Sequence, residues 1–287
     1  MPTCPRSFDA ALAVMAGAAR AAVRGATAAA IATSLAAAQG RPPKLSTAQP
    51  ERPSVSTHAG TVTAGWFELE SGIELDRGTQ PQHNTLGVFA AKLGLAENLQ
   101  LSLLANVLRP SDAAGGFGDM TMALKMRLLE DFPVLGDFAI LPAIKFPTGS
   151  DARGTGTNTT DGTITLISSR NVFGLDMDSN VAYTYRGGSG IHAPRDAWLY
   201  AVSVAGDLPG GAGWTAEIFG VPGTSGAQGA PPTAALLAGP TFTLRKWLVL
   251  DFGGILPLMG QQPRALYAGL TYNVGRLWGE REKNVVR

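Results

Sequence analysis

A closed antiparallel β-barrel that crosses a membrane is the fold class this sequence predicts, on three observations. Apolar and polar residues alternate along many segments of about ten residues, and a period of two sends successive side chains to opposite faces of a strand. The connections between these segments alternate short and long, as periplasmic turns and extracellular loops do in outer-membrane barrels. The apolar residues, 45% of the chain, are spread as this alternation rather than gathered into blocks. Beyond residue 41 no run reaches the roughly eighteen apolar residues of a spanning helix.

Composition narrows the field further. The formal net charge of +1 over 287 residues gives no footprint for nucleic acid. Charged residues are only 16% of the chain, below the usual quarter or so, and its 36 glycines are many. Cys4 is the single cysteine, which excludes an internal disulfide framework.

Residues 1–38 read as a signal peptide. Arg20 and Arg24 precede the apolar run 25–38, and Ala36-Ala37-Ala38 offers a small-residue cleavage site before Gln39. Met15 is an alternative start. Cys4 precedes the apolar run, where a lipoprotein anchor would follow it. Residues 39–63 are Pro-rich, polar and aperiodic, and are expected to form a disordered or extended periplasmic leader.

The barrel is expected over 64–275. In its first strand Phe67, Leu69, Ile73 and Leu75 share one face, and Glu68, Glu70, Glu74 and Asp76 the other. Four carboxylates in one strand are not expected toward lipid, so this face should line the lumen. The next strand sends Phe89, Ala91, Leu93 and Leu95 out and Lys92 in. After the turn at Glu97-Asn98, Leu99, Leu101, Leu103, Ala105 and Val107 oppose Gln100, Ser102 and Asn106.

The clearest hairpin spans 118–150. Met120, Met122, Leu124, Met126 and Leu128 alternate with Asp119, Thr121, Ala123, Lys125 and Arg127. A turn is expected over 130–136. Phe138, Ile140, Pro142, Ile144 and Phe146 then face out, with Lys145 inward, until Pro147-Thr148-Gly149 ends the strand.

The same unit recurs down the chain. Ile164 and Leu166 oppose Asp161, Thr163 and Thr165. Phe173, Leu175, Met177, Val181, Tyr183 and Tyr185 oppose Asp176, Asp178, Asn180 and Thr184. Trp198, Tyr200, Val202 and Val204 face out. So do Trp214, Ala216 and Ile218, against Glu217. The strands at 236–244 and 248–252, with Asp251 inward, and at 266–274 complete twelve. An even number is the rule for such barrels, and the short turns put both termini in the periplasm. Trp66, Trp214 and Trp247 fall at periplasmic strand ends, and Tyr185 and Trp198 at outer ends, as in an interfacial aromatic girdle.

The segments WFELESGIELD, GFGDMTMALKMRLLED and LPAIKFPTGS resemble the outer-membrane family described as "putative meta-pathway of phenol degradation". DAWLYAVSVAGDL and WTAEIFG are similar too. The resemblance covers about 65–274, and a PTG after one strand with a GD opening another is its most specific feature. It implies an outer-membrane transporter-like barrel associated with aromatic catabolism. Members of such families usually end on an aromatic residue, whereas residues 276–287 form a tail that runs to Arg287.

Catalytic patterns are weak. His58, His83 and His192 lie in the leader and two loops, without cysteine partners for a metal. A phospholipase site would need a Ser–His pair on the outer wall, where no histidine falls. The run 151–156 lacks the Lys-Ser/Thr of a phosphate loop. No enzyme activity, cofactor or metal is therefore expected.

The inward charges are the candidate functional residues. Glu68, Glu70, Glu74, Asp76, Asp119, Asp176, Asp178, Glu217 and Asp251 would face Lys92, Lys125, Arg127 and Lys145 across the lumen. Either these line a polar conduit that filters solutes, or they pair into a plug that only stabilises a narrow barrel. The expected partners are outer-membrane lipid and a small solute whose identity the sequence does not give; the family resemblance implies hydrophobic or aromatic compounds. The alternative is a non-conducting structural or adhesive barrel.

Overall fold

The computed structural model describes residues 47–77, 83–110, 114–188, 194–225, 229–262 and 264–279. The expected signal peptide, the first residues of the expected leader, His192 and the end of the tail lie outside these. Alternating residues form thirteen strands: β1 (Trp66–Arg77), β2 (His83–Ala96), β3 (Leu99–Pro110), β4 (Gly116–Phe117), β5 (Met120–Phe132), β6 (Gly136–Phe146) and β7 (Asp161–Val172). Then come β8 (Leu175–Tyr185), β9 (Asp196–Leu208), β10 (Ala212–Val221), β11 (Thr233–Arg245), β12 (Leu248–Met259) and β13 (Arg264–Arg276).

Twelve long strands make the wall, each antiparallel to its neighbours in chain order. The two-residue β4 folds back on β3 within a loop, so β3 pairs with β5. β13 pairs with β1 from Arg276 opposite Trp66 to Arg264 opposite Arg77, which closes the ring and leaves no free edge.

Burial is inverted relative to a water-soluble domain. Ile73 and Ile218 are more than half exposed on the outer face, while Lys92, Lys125 and Glu68 are fully buried inside. A closed wall satisfies its own backbone, and an apolar outer surface needs hydrocarbon around it. The protein is a twelve-stranded barrel with a membrane-facing outer wall. Among the described residues no helix is long and apolar enough to cross a membrane.

The aromatic residues fall near strand ends. Trp66 opens β1, Trp214 is near the start of β10, and Trp247 in the β11–β12 turn packs edge-on against Tyr272 at 5.5 Å. At the long-loop end Tyr185 closes β8, and Trp198 packs against Tyr183 at 4.9 Å.

Three local expectations need correction. β5 runs on to Phe132 and the turn is only 133–135, because the hairpin is carried past Glu130 by pairing of Phe132 with Gly136. Phe173 is not a wall residue: it sits in the β7–β8 turn with φ of 54° and a fully exposed side chain. β13 extends to Arg276, and the Leu277 amide donates to the Gly65 carbonyl, so the described tail continues the β1 contact.

Candidate functional site

The largest correction concerns the leader. Its described part, 47–63, is neither extended into the periplasm nor disordered, but lies inside the barrel. The Ala48 amide donates to the Lys246 carbonyl in a short turn, so the segment enters at the short-turn end. It reaches mid-depth at Arg52, crosses the lumen at residues 55–57, and returns to the same end. There the Thr61 hydroxyl donates to the Glu97 carbonyl and the Trp66 amide donates to the Thr63 carbonyl. Pro50 and Pro53 suit such an irregular path, since neither brings an amide that needs a partner.

An irregular segment buried in a barrel must find acceptors for its amides. The wall supplies them from its inward positions. Gln49 donates to Glu68 at 2.8 Å and Glu51 to Glu70 at 2.7 Å. Glu217 accepts from Val55 at 2.7 Å with one oxygen and from Ser56 at 2.6 Å with the other. Asn180 both accepts from the Thr57 amide and donates to its carbonyl, each at 2.9 Å. Ser169 takes the Ala59 amide and Gln100 the Val62 amide. Where the returning chain crosses β2, Gly94 leaves the room: a Cβ there would lie 2.2 Å from the Thr63 carbonyl oxygen.

The cations are spent on the segment as well. Lys92 lies 2.6 Å from Glu68 and 2.8 Å from Glu70, and donates to the Gln49 carbonyl. Lys125 donates to Glu51 at 2.5 Å, to the Thr57 hydroxyl and His58 carbonyl at 2.8 Å, and to the Gly60 carbonyl at 3.2 Å. His58 thus lies in the lumen segment rather than in a solvated leader. A fully buried ammonium needs such a cage, because an unpaired one would cost several kcal/mol.

The remaining charges lie elsewhere. Arg127 is near the short-turn rim, 2.7 Å from Glu130 and 3.8 Å from Asp137. Asp176, exposed, and Asp178, half-buried, lie toward the same end; Asp176 accepts from Asn171 and Asp178 from Ser169. Asp119, Lys145 and Asp161 meet at the opposite, long-loop rim, with Lys145 3.3 Å from Asp119 and 2.7 Å from Asp161.

This rim cluster explains the GD and PTG motifs. Asp119 accepts the amides of Gly149 and Thr157, and the Thr157 hydroxyl, which pins the 148–160 loop onto β5. Burial alone would raise the pKa of Asp119, but these three donors outweigh it and hold the carboxyl below the usual range. Glu74 and Asp76 lie inward on β1, half-buried and beyond the ion pairs of Lys92.

Two features escaped the sequence reading. Beyond Glu217 toward the long loops, the inner wall of β9 to β13 is apolar: Ala201, Phe219, Ala235, Leu237, Ile255, Ala265 and Tyr267 form one buried cluster. β10 to β12 are apolar on both parities there, which was the available signal. The other is a slot at Gly72, Gly269 and Asp251, which strand closure places side by side. Among the described residues no group of His, Cys, Asp and Glu is arranged to hold a metal.

The model of the family "Putative MetA-pathway of phenol degradation" matches residues 52–255. The chain belongs to this family. The match begins at Arg52, inside the lumen segment, and runs to Ile255 on β12. A comparison with curated protein sequences finds no match. Among solved structures, a KdgM porin is similar at a TM-score of 0.47 and 9% identity, covering 72% of this chain and 99% of that one. The translocator domain of the autotransporter NalP from Neisseria meningitidis is similar at 0.45 and 12% identity, covering 90% of this chain and 97% of that one. Likenesses at this level bear on neither solute nor mechanism.

Proposed function

We propose that this barrel is a gated conduit for small solutes, closed at its periplasmic half by residues 47–63. One observation carries the reading: the wall's buried acceptors are directed at the backbone of a segment joined to the wall through one end of β1. Glu68, Glu70, Glu217, Asn180, Ser169 and Gln100 bond to amides of that segment. Its withdrawal would leave them lining a polar passage that water can fill, without breaking any wall pairing. The family's description makes small aromatic compounds the first solutes to test. The complete burial of Lys92, Lys125 and Glu217 supports the competing reading, a barrel whose filled lumen serves stability alone.

Planar-bilayer recording and liposome swelling separate the two. A disulfide between Gln49→Cys and Glu68→Cys, in a chain whose only native cysteine is Cys4, would lock the segment in place. The expected outcome is solute flux in the reduced protein and little in the oxidised one. Equal, negligible flux in both, and in a variant lacking 47–63 that still assembles, would leave the structural reading standing.

A further inference from the structure

Arg52 lies against a stretch of inner wall that is bare of side chains at two positions. Gly72 on β1 pairs directly with Gly269 on β13, and Gly269 pairs directly with Asp251 on β12. Two bare positions therefore lie beside one carboxylate in a single row across three strands. The Arg52 guanidinium rests on this floor: a Cβ at Gly72 would lie 2.6 Å from Cζ, and one at Gly269 would lie 2.6 Å from Nε. Asp251, only 2% exposed, holds Oδ1 3.7 Å from Nε, an ion pair too long for a hydrogen bond. Neither atom has a hydrogen-bond partner among the described residues.

The next rows complete the walls. Tyr267 pairs with Glu74 on one side and Gly253 on the other, and its buried hydroxyl also lacks a hydrogen-bond partner. Glu70 and Thr271 pair on the short-turn side. The slot thus has a flat floor, carboxylates on β1 and β12, an aromatic flank, and the apolar cluster between it and the long loops.

We propose that this slot is a binding site for a planar organic cation, such as a guanidinium or amidinium group, for which Arg52 is a built-in stand-in. Its role in passage rests on the conduit reading; the binding itself does not. A flat, delocalised cation fits a two-glycine floor and loses less hydration than an ammonium. A solute of this class entering from the long-loop side would compete with Arg52 for the slot, and would thereby favour the withdrawn segment.

Chemical rescue tests the site in the full chain. Arg52→Ala, purified in detergent, should melt below the wild type, and millimolar methylguanidinium should restore the loss. Tetramethylammonium, of equal charge but not flat, should bind about tenfold more weakly. Adding Asp251→Asn should abolish the rescue, and so should Gly269→Ala, which fills the floor. If Arg52→Ala does not assemble alone, the readout is assembly in the presence of methylguanidinium, and failure to recover it counts as absence of rescue. Absence of rescue in an assembled variant, or equal rescue by tetramethylammonium or phenol, overturns the proposal. Rescue without any conductance leaves the site and removes the conduit; conductance without rescue does the reverse.

Discussion

The two halves of the inner wall solve the same problem by opposite means. Toward the short turns the wall is polar, with Glu68, Glu70, Lys92, Gln100, Lys125, Asn180 and Glu217 inward, and the space is filled by backbone. Toward the long loops, on β9 to β13, the inward residues are Phe219, Leu237, Ile255, Tyr267 and small neighbours packed on one another. Backbone brings amides that need acceptors, so the half it fills must be polar. Side chains packed along β9 to β13 bring no such demand, so that sector can be apolar, while β1 keeps Glu74 and Asp76 inward. Polarity of a barrel interior therefore reports what fills it as much as what passes through it.

Removing a cation from the polar half should have the largest effect. Lys125→Met leaves Glu51 with Gln100 as its remaining donor and the carbonyls of His58 and Gly60 without their Lys125 donor, for an expected loss of about 3 kcal/mol. Heat-modifiable gel mobility would report it, and the loss should be smaller in the double variant Lys125→Met with Glu51→Gln. Equal losses would mean that the pair is not the unit of stability. In the apolar half, Leu237→Ala should cost about 2–4 kcal/mol by leaving a cavity, whatever the state of the segment. A Leu237→Ala cost that vanished when residues 47–63 were deleted would break the distinction between the halves.

The smallest effect belongs to the rim, outside both halves. Because the folded pKa of Asp119 is depressed, its contribution is present above the unfolded value of about 3.9 and is lost as pH falls through the folded one. A spin label at Thr160 should gain mobility in that acidic window. Asp119→Asn should show the gain at neutral pH, with under about 1 kcal/mol of global cost. No change in label mobility in either case would detach the loop from Asp119.

The wall was legible because alternation is a local signal. Ile73, Leu124 and Ile218 against Glu74, Lys125 and Glu217 can be read two residues at a time, and the twelve strands follow. The lumen segment was not, because its partners are remote. Glu51 meets Lys125, Arg52 meets Asp251, and Val55 meets Glu217, contacts spanning up to 199 residues for Arg52 and Asp251. Read alone, Pro50, Glu51, Arg52 and Pro53 have the composition of a disordered linker. The slot was hidden for a related reason. Gly72 and Gly269 become neighbours only when β13 closes on β1, and no local pattern states that register.

The path of 47–63 also has a mechanical consequence. Both arms of the segment open toward the same mouth, at Lys246 and at Glu97. A pull on residue 47 from that mouth would load its contacts one after another, beginning with Ala48 and Gln49, so the segment peels rather than shears. Each step breaks at most three hydrogen bonds, as at Glu51 and Thr57, instead of all of them together. The far end stays joined to Trp66, and a chain of this length reaches only about 3.3–3.6 Å per residue from that point. The released strap would thus remain tethered at an effective concentration on the order of millimolar, and reclosure would need no second molecule.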